Sequence, residues 1–314
     1  MRWLDELPCP TPLLPFARNG CCLRMDEISD TELLRRYATS GSDEAFGMLV
    51  RRYHGLVHGT AMRQLGIPHL ADEVGHAVFL ALSRKAGSLS GRTVLAGWLF
   101  KATRFAAAKL ARDEQRRTRR EQEAAMTYTQ AMSEENDDQV WNSITPHLNQ
   151  ALDALSTKDR DALLLRFFEA RPFAEVGRSL GVSEDAAKVR VGRAVEKLRG
   201  FFRKKGFVLG AAALASALSS KGCEVASEAA VKSLMANVAE NGKVLVGTSE
   251  LADSIGRHLF ATWLKHWLAG AALILALATI IGLAGAKYGW FQRTADNPKS
   301  RAPTALPTQP WPQP

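Results

Sequence analysis

The sequence lacks the residue patterns that catalytic and metal-binding sites most often use. Its four cysteines are Cys9, Cys21, Cys22 and Cys223, and no two of them have the C-x-x-C spacing of a zinc site. We therefore interpret them as reduced, cytoplasmic thiols. The sequence also has no glycine-rich phosphate loop, nucleophile elbow or pair of catalytic carboxylates. It predicts no enzyme, no catalytic residue and no cofactor.

A secretory signal and a strand pattern are missing as well. Residues 1–25 contain several prolines and no long apolar run, which predicts a disordered leader and makes Met25 an alternative start of the chain. No segment alternates apolar and polar residues for long enough to predict a strand, whereas apolar residues recur at helical spacing in most of the chain. The predicted fold class is therefore all-α.

The charge of the chain is positive and unevenly distributed. The formal net charge is +9, and basic residues cluster in 101–121 and 188–205. Between these clusters, residues 121–138 contain six acidic residues and no basic one. Such a distribution indicates two basic surfaces joined by an acidic spacer, and the excess of positive charge favours an anionic partner, either nucleic acid or lipid.

Changes in composition divide the chain into segments. The predicted order after the leader is a helical domain at 26–120, an acidic linker at 121–145, a second helical domain at 146–203, an Ala-rich helical extension at 204–262, a transmembrane helix with its flanks at 263–291, and a Pro-rich disordered tail at 292–314.

The clearest site pattern is a predicted helix-turn-helix between Phe173 and Arg199. Gly181 suits the tight turn, and Ser183 suits the N-cap of the second helix. A basic helix of this kind can enter the major groove of DNA. The candidate DNA contacts are Ser183, Glu184, Lys188, Arg190, Arg193 and Lys197. The alternative is an ordinary helical hairpin with a solvated basic face.

Two ordered blocks of sequence resemble the extracytoplasmic-function (ECF) sigma factors of the sigma-70 family. The blocks DTELLRRYATSGSDEAFGMLVRRYHGLVHGTAMRQLG, HLADEVGHAVFLALSRKAGSL and LAGWLFKATRFAAAKLARDEQRR are similar to region 2 of that family. The block LDALSTKDRDALLLRFFEARPFAEVGRSLGVSEDAAKVRVGRAVEKLR is similar to region 4. The resemblance covers residues 26–203. It implies a sigma factor that binds core RNA polymerase and promoter DNA without a cofactor.

The same resemblance implies the site residues of the first domain. It places the polymerase contacts at Asp72, Glu73, Val74, His76 and Phe79, although Gly75-His76-Ala77 stand where the family usually has a Gln-Glu pair. It places the −10 promoter contacts at Trp98, Lys101 and Arg104, next to a loop at 87–94 that would hold a flipped base. The helix-turn-helix would bind the −35 element.

Some residues of the first domain have more than one interpretation. Trp98 either packs in the core or stacks on single-stranded DNA. The later cations Arg112, Arg116 and Arg117 are predicted to bind the −10 DNA, because the basic run exceeds what solubility needs. His54 and His58 have the i, i+4 spacing of metal ligands, but the sequence offers no third ligand, so no metal site is predicted.

Residues 267–286 form a run of 20 residues without a charge, which is long enough to cross a bilayer. Aromatic residues flank the run on both sides. These features predict a single C-terminal span that binds membrane lipid and tethers cytoplasmic DNA-binding domains to the inner membrane. The alternative is a buried hairpin helix in a soluble domain.

The sequence leaves three functions open. The leading hypothesis is a sigma factor, expected to be a monomer, that is regulated by its membrane-anchored C-terminal extension, with an anti-sigma or signalling protein as a further candidate partner. The second is a membrane-tethered helix-turn-helix regulator that acts without being a polymerase subunit. The third is a helical adaptor without a role on nucleic acid, which the two basic surfaces disfavour.

Overall fold

The computed structural model describes residues 28–89, 93–122, 137–221, 226–241 and 248–259, together with Ala276, Thr279 and Ile280. These residues contain helices and no strand, which confirms the all-α prediction. Residues 1–259 form one compact unit, and residues 260–314 form a second. The predicted disordered leader at 1–25 and Pro-rich tail at 292–314 lie outside the described residues.

Four helices form the first helical group. They are α1 (Asp30–Ser40), α2 (Asp43–Leu65), α3 (Pro68–Lys85) and α4 (Leu95–Gln122), with a short 3-10 turn at Ala86–Ser88. Serine side chains cap the first two helices by accepting hydrogen bonds from backbone N–H groups that the helix leaves unpaired. The buried faces of α2, α3 and α4 supply most of the core of this group.

The second helical group follows. It consists of α5 (Asp137–Asp153), α6 (Thr157–Leu163), a π-helical turn (Leu164–Phe168), α7 (Phe173–Leu180) and α8 (Glu184–Lys204). Helix α5 begins inside the segment that the composition predicts as a linker. The side chains of Ile144, Leu148 and Leu152 on α5 are fully buried, so this helix belongs to the core of the second group.

Within the described part of residues 205–259, three helices follow the second group. Helix α9 (Ala211–Lys221) packs on α5 and α8, and α10 (Glu228–Ala239) packs on α2 and α3. Residues 248–259 form a last helix, α11. The C-terminal extension therefore packs on both helical groups, with α9 against the second and α10 against the first.

The two helical groups are in direct contact through a buried ionic cluster. Arg171, which lies three residues after the π-helical turn of the second group, donates to Asp30 Oδ2 of α1 over 2.8 Å and to the Tyr53 hydroxyl over 2.9 Å. Arg52 donates to the same carboxylate. Burial raises the pKa of Asp30, but the charges of Arg171 and Arg52 outweigh it and hold that pKa below its usual value. The cluster joins α1 and α2 to the second group.

The predicted membrane tether is wrong. None of the helices that the structure describes is both long and apolar enough to cross a bilayer. The described helices of the C-terminal third have 11 or 12 residues and carry charged side chains, whereas a span needs about 20 predominantly apolar residues. The run at 267–286 lies outside the described residues except at Ala276, Thr279 and Ile280. The charge-free composition that motivated the tether and its lipid contact does not by itself specify a spanning helix.

Candidate nucleic-acid interface

Helices α7 and α8 form the helix-turn-helix that the sequence predicts. Gly181 ends α7 with a φ of +67°, in the left-handed region that a side chain would strain. The Ser183 hydroxyl then accepts a hydrogen bond from the Ala186 N–H over 3.2 Å and caps α8. Glu184 and Asp185 lie in the first turn of α8, where the helix dipole favours negative charge. The turn and the cap set the direction in which α8 leaves α7.

One face of α8 is apolar and buried. The side chains that the spacing predicts to point inward are all buried in the structure: Ala187, Val191, Ala194, Val195 and Leu198. Phe202 extends the same face and is also fully buried. The opposite face of the helix is consequently available to a partner.

The cations of α8 differ in their surroundings. Arg193 is exposed, whereas Arg190 is partly buried, with 22% of its side chain exposed. Arg190 lies 3.6 Å from Asp159 Oδ1, and Lys197 donates to Asp159 Oδ2 over 2.6 Å. Asp159 belongs to α6, so two of the predicted DNA contacts also hold α8 against α6.

Asp159 is well suited to this positioning role. Burial raises its pKa, but hydrogen bonds from Lys197 and the Ser156 hydroxyl, together with the charges of Lys197 and Arg193, bring the pKa below its usual value. Asp159 is therefore ionised at neutral pH and able to bind both cations. The sequence analysis missed this residue. The pattern Ser156-x-x-Asp159, with the serine as N-cap, is the signal that marks its place in the first turn of α6.

Two further predicted contacts lie at the start of α8. The Lys188 ammonium is 3.5 Å from Glu184 Oε1 and 5.9 Å from the centroid of the Phe173 ring. Val189, between Lys188 and Arg190, is 46% exposed. The outward face of the first three turns of α8 thus combines polar, cationic and apolar groups, which is the mixture that base edges and phosphates require.

The predicted −10 contacts lie on α4, in different environments. Trp98 is half-buried and packs against the hydrophobic core, as the packing interpretation predicts. Lys101 is exposed. Arg104 donates to Asp153 Oδ2 of α5 over 2.9 Å and also to the Gln64 side chain. Arg112 is exposed and donates to the Ala108 carbonyl over 3.1 Å. The side chains of Arg116 and Arg117 lie outside the described residues.

The predicted polymerase contacts on α3 are partly buried as well. Val74 and Phe79 have no exposed surface and belong to the core of the first helical group. Asp72 is exposed, Glu73 is half-buried, and His76 is 7% exposed. On α3, therefore, Asp72 offers the most accessible side chain of the predicted set.

Asp161 of α6 lies where the second helical group meets α4, and its carboxyl group is buried. Its Oδ1 atom has no hydrogen-bond partner among the described residues. Burial raises its pKa to about 6, although the charges of Arg160 and Lys101 lower it. In the unfolded chain an aspartate titrates near 3.9.

This shift predicts a specific pH dependence of stability. Because the folded pKa of Asp161 is above the unfolded value, the folded chain retains a proton that the unfolded chain has lost, and stability falls as the pH rises from about 4 to about 6. We expect Asp161→Asn to remove this part of the decline. Chemical denaturation of both chains at several pH values measures it, and an identical decline in the variant would contradict the assignment.

Comparison with known proteins agrees with this architecture. A family model described as Sigma-70 region 2 matches residues 49–117, which span most of α2 to α4. A second, described as Sigma-70, region 4, matches residues 151–200, which include α6, α7 and most of α8. RNA polymerase sigma factor CarQ of Myxococcus xanthus is 32% identical over 164 residues, which cover 51% of this chain and 90% of that protein. The chain belongs to the sigma-70 family of RNA polymerase sigma factors.

Two other relatives support the same assignment for this sigma factor. ECF RNA polymerase sigma factor SigE of Mycolicibacterium smegmatis is 26% identical over 183 residues, covering 57% of this chain and 70% of that protein. RNA polymerase sigma factor NccH of Alcaligenes xylosoxydans xylosoxydans is 27% identical over 179 residues, covering 55% of this chain and 95% of that protein. The resemblance to ECF sigma factors is confirmed, and a regulator that acts apart from polymerase is not favoured.

Proposed function

We propose that this sigma factor binds core RNA polymerase through residues 26–120, recognises and opens the −10 element with α4, and binds the −35 element with α8. The observation that carries the proposal is the capped α8 of the helix-turn-helix, which has a buried apolar face and an exposed face with Arg193. Residues 146–203, together with the start of α5 that packs in their core, would act as the −35 domain, and the rest of 121–145 would connect the two domains.

In the −35 complex, the residues at the start of α8 would face the base edges. Ser183, Glu184 and Lys188 occupy the end of the helix that enters the groove in proteins of this architecture. Arg193 and Lys197 lie later on the helix, where cations neutralise phosphates. Arg190 would combine DNA contact with positioning, because Asp159 holds its guanidinium beside α6.

In the −10 complex, the cations of α4 would neutralise phosphates of the opened strand. They are Lys101, Arg104, Arg112, Arg116 and Arg117. Trp98 would help to position them by packing at the edge of the core. Arg104 is bound to Asp153 of α5 in this structure. Arg104 would therefore exchange this ion pair for a phosphate of the opened strand when the −10 complex forms.

The polymerase contacts would come from the exposed end of α3 and its neighbours. Asp72 and Glu73 would contact the core enzyme directly. Val74 and Phe79 would hold α3 in position by packing in the core of the first helical group. His76 would join the interface once its surface is accessible. The C-terminal extension at 204–262 would regulate access to polymerase. The monomeric state and a separate anti-sigma or signalling partner stay predictions.

The recognition helix can be tested with Arg193→Ala. We expect a roughly tenfold loss of promoter-specific transcription in vitro with core polymerase, because loss of one DNA-contacting arginine costs about 1–3 kcal/mol. Binding to core polymerase should be retained. Arg199→Ala is the matched control, since Arg199 is on the same helix and pairs with Glu196 over 2.8 Å. Full transcription by Arg193→Ala would contradict the assignment of α8.

A further inference from the structure

The C-terminal helices α10 and α11 lie on the first helical group. From α10, the Glu228 carboxylate accepts from the Arg51 guanidinium of α2 over 3.1 and 3.2 Å. Ser233 Oγ, also from α10, is 3.3 Å from His76 Nε2 of α3. Helix α10 therefore contacts α2 and also α3, the helix that carries the predicted polymerase contacts.

Arg84 of α3 anchors the segment that follows α10. Its Nε atom donates to Asn241 Oδ1 over 3.0 Å, just after α10 ends. Its terminal nitrogens donate to Ser249 Oγ over 3.1 Å and to Asp253 Oδ1 over 2.7 Å, both on α11. A single guanidinium of the first helical group thus binds both α11 and the residue Asn241 that follows α10.

Helix α11 also reaches α4. The ring of His258 stacks on the ring of Phe105, with centroids 4.0 Å apart. Lys109 lies 3.9 Å from Glu250. The two helices α10 and α11 therefore extend over parts of α2, α3 and α4, and we call them the cover.

Several apolar side chains of α10 and α11 are buried. Val231 and Leu234 of α10 are 2% and 3% exposed, and Leu251 and Ile255 of α11 are 4% and 0% exposed. Burial of this kind is the main favourable contribution to attachment. It indicates that α10 and α11 pack at a specific position on the first helical group.

The interface between the cover and the first helical group also contains polar groups without partners among the described residues. Asn237 of α10 is fully buried, and neither polar atom of its amide has a hydrogen-bond partner among the described residues. His76 Nδ1 beneath the cover is also without one in this part of the chain. A cleft of about 260 Å³ remains where His54, His58, Asp72 and His76 face α10. Buried polar groups without partners weaken an interface, so attachment of the cover is less stable than its apolar contacts alone would make it.

The cover occupies the same surface that polymerase would need. Asp72 and His76, two of the predicted polymerase contacts, line the cleft together with Ala229, Ala230 and Ser233 of α10. His76 has little exposed surface while α10 is in place. We propose that α10 and α11 form a detachable cover that competes with core RNA polymerase for the α2–α3 face. This inference rests on the proposed function, since it presumes that the face binds polymerase.

Competition of this kind has a quantitative consequence. When only the uncovered fraction of a protein can bind, its dissociation constant rises in inverse proportion to that fraction. A change that loosens the cover without touching α2 or α3 must therefore tighten polymerase binding. A change that strengthens the cover must weaken it.

Leu234→Asp in the full chain tests the first direction. The charge cannot stay buried beneath α10 without a partner, so the cover detaches. We expect the dissociation constant for core polymerase to fall roughly tenfold or more, a change equivalent to about 1.4 kcal/mol. Ala236→Asp introduces the same charge on the exposed side of α10 and should leave the affinity unchanged.

Asn237→Leu tests the opposite direction in a chain that keeps its fold. The substitution replaces the unpaired amide with an apolar group of similar size, which stabilises the packing of α10 on the first helical group. We expect polymerase binding to weaken roughly tenfold and hydrogen exchange in α10 to slow. If circular dichroism shows that Leu234→Asp is unfolded, the affinity of Asn237→Leu for core polymerase alone tests the proposed cover.

The outcomes separate the two proposals. Opposite shifts in affinity for Leu234→Asp and Asn237→Leu support the cover. Equal affinities in folded wild type and folded variants would overturn the cover while leaving the sigma factor assignment of this face intact. If neither the wild-type chain nor any variant binds core polymerase, the proposed polymerase contact fails and the cover fails with it.

Discussion

Asp30→Ala is expected to lower the free energy of unfolding by about 3–5 kcal/mol, because it leaves buried cations without their carboxylate. The Arg171 and Arg52 side chains are 12% and 16% exposed, and both bind Asp30. The Tyr53 hydroxyl also loses the acceptor that lies 2.7 Å away. Urea denaturation followed by circular dichroism measures the loss.

Glu32→Ala is the matched control for this prediction. Glu32 lies on the same helix and also binds two arginines, Arg35 and Arg36, but the pairs are exposed. Solvent screens such pairs, so we expect little change in stability. Replacing Asp30 and Arg171 together by leucine should recover part of the loss, because no unpaired charge of that pair remains. Equal effects of Asp30→Ala and Glu32→Ala would contradict the role given to the buried cluster.

The second large effect is expected for Gly97→Leu, at about 3 kcal/mol of lost stability. Gly97 lies where α4 meets α6, and a Cβ atom at this position would be 2.0 Å from Asp161 Oδ1 and 2.8 Å from Asp161 Cγ. No side chain fits unless α4 and α6 separate or Asp161 moves. Thermal or urea denaturation measures the loss, and faster hydrogen exchange in α6 would show that the two helices have separated.

Two further variants make this prediction specific. Gly200→Leu on α8 adds the same side chain where a Cβ atom would meet nothing within 4 Å, so we expect no loss and a gain in helix propensity. Combining Gly97→Leu with Asp161→Ala removes the atoms that clash and should restore much of the stability. If the double variant is as unstable as Gly97→Leu alone, the clash with Asp161 is not the cause.

The helices and the helix-turn-helix could be predicted because their signals are local. The turn at Gly181, the cap at Ser183 and the inward face of α8 depend on residues within about four positions of one another, and these are the distances over which caps and helical periodicity act. The same is true of α1 and α2, where serines cap the starts of the helices and glycines mark their ends. The family resemblance added the order of the two regions.

The contacts between distant segments could not be predicted in the same way. Arg84 and Asp253 are 169 positions apart, and no periodicity or composition indicates that they meet. The pairing of Arg190 with Asp159 likewise depends on how α6 packs on α8, since spacing alone places Arg190 on an outward face. The membrane prediction failed for a related reason, because a lack of charge permits burial in several environments and does not select one.

The position of the cover on the same chain as the surface it covers has a consequence for dosage. An inhibitor made as a separate protein must match the amount of its target, and excess target escapes it. Here each copy of the α2–α3 face carries its own α10, at an effective concentration that the connecting chain fixes. If the cover acts as we propose, raising expression of this sigma factor would increase the number of covered and uncovered molecules in the same ratio. The proportion of active molecules would then change only through events that act on attachment itself.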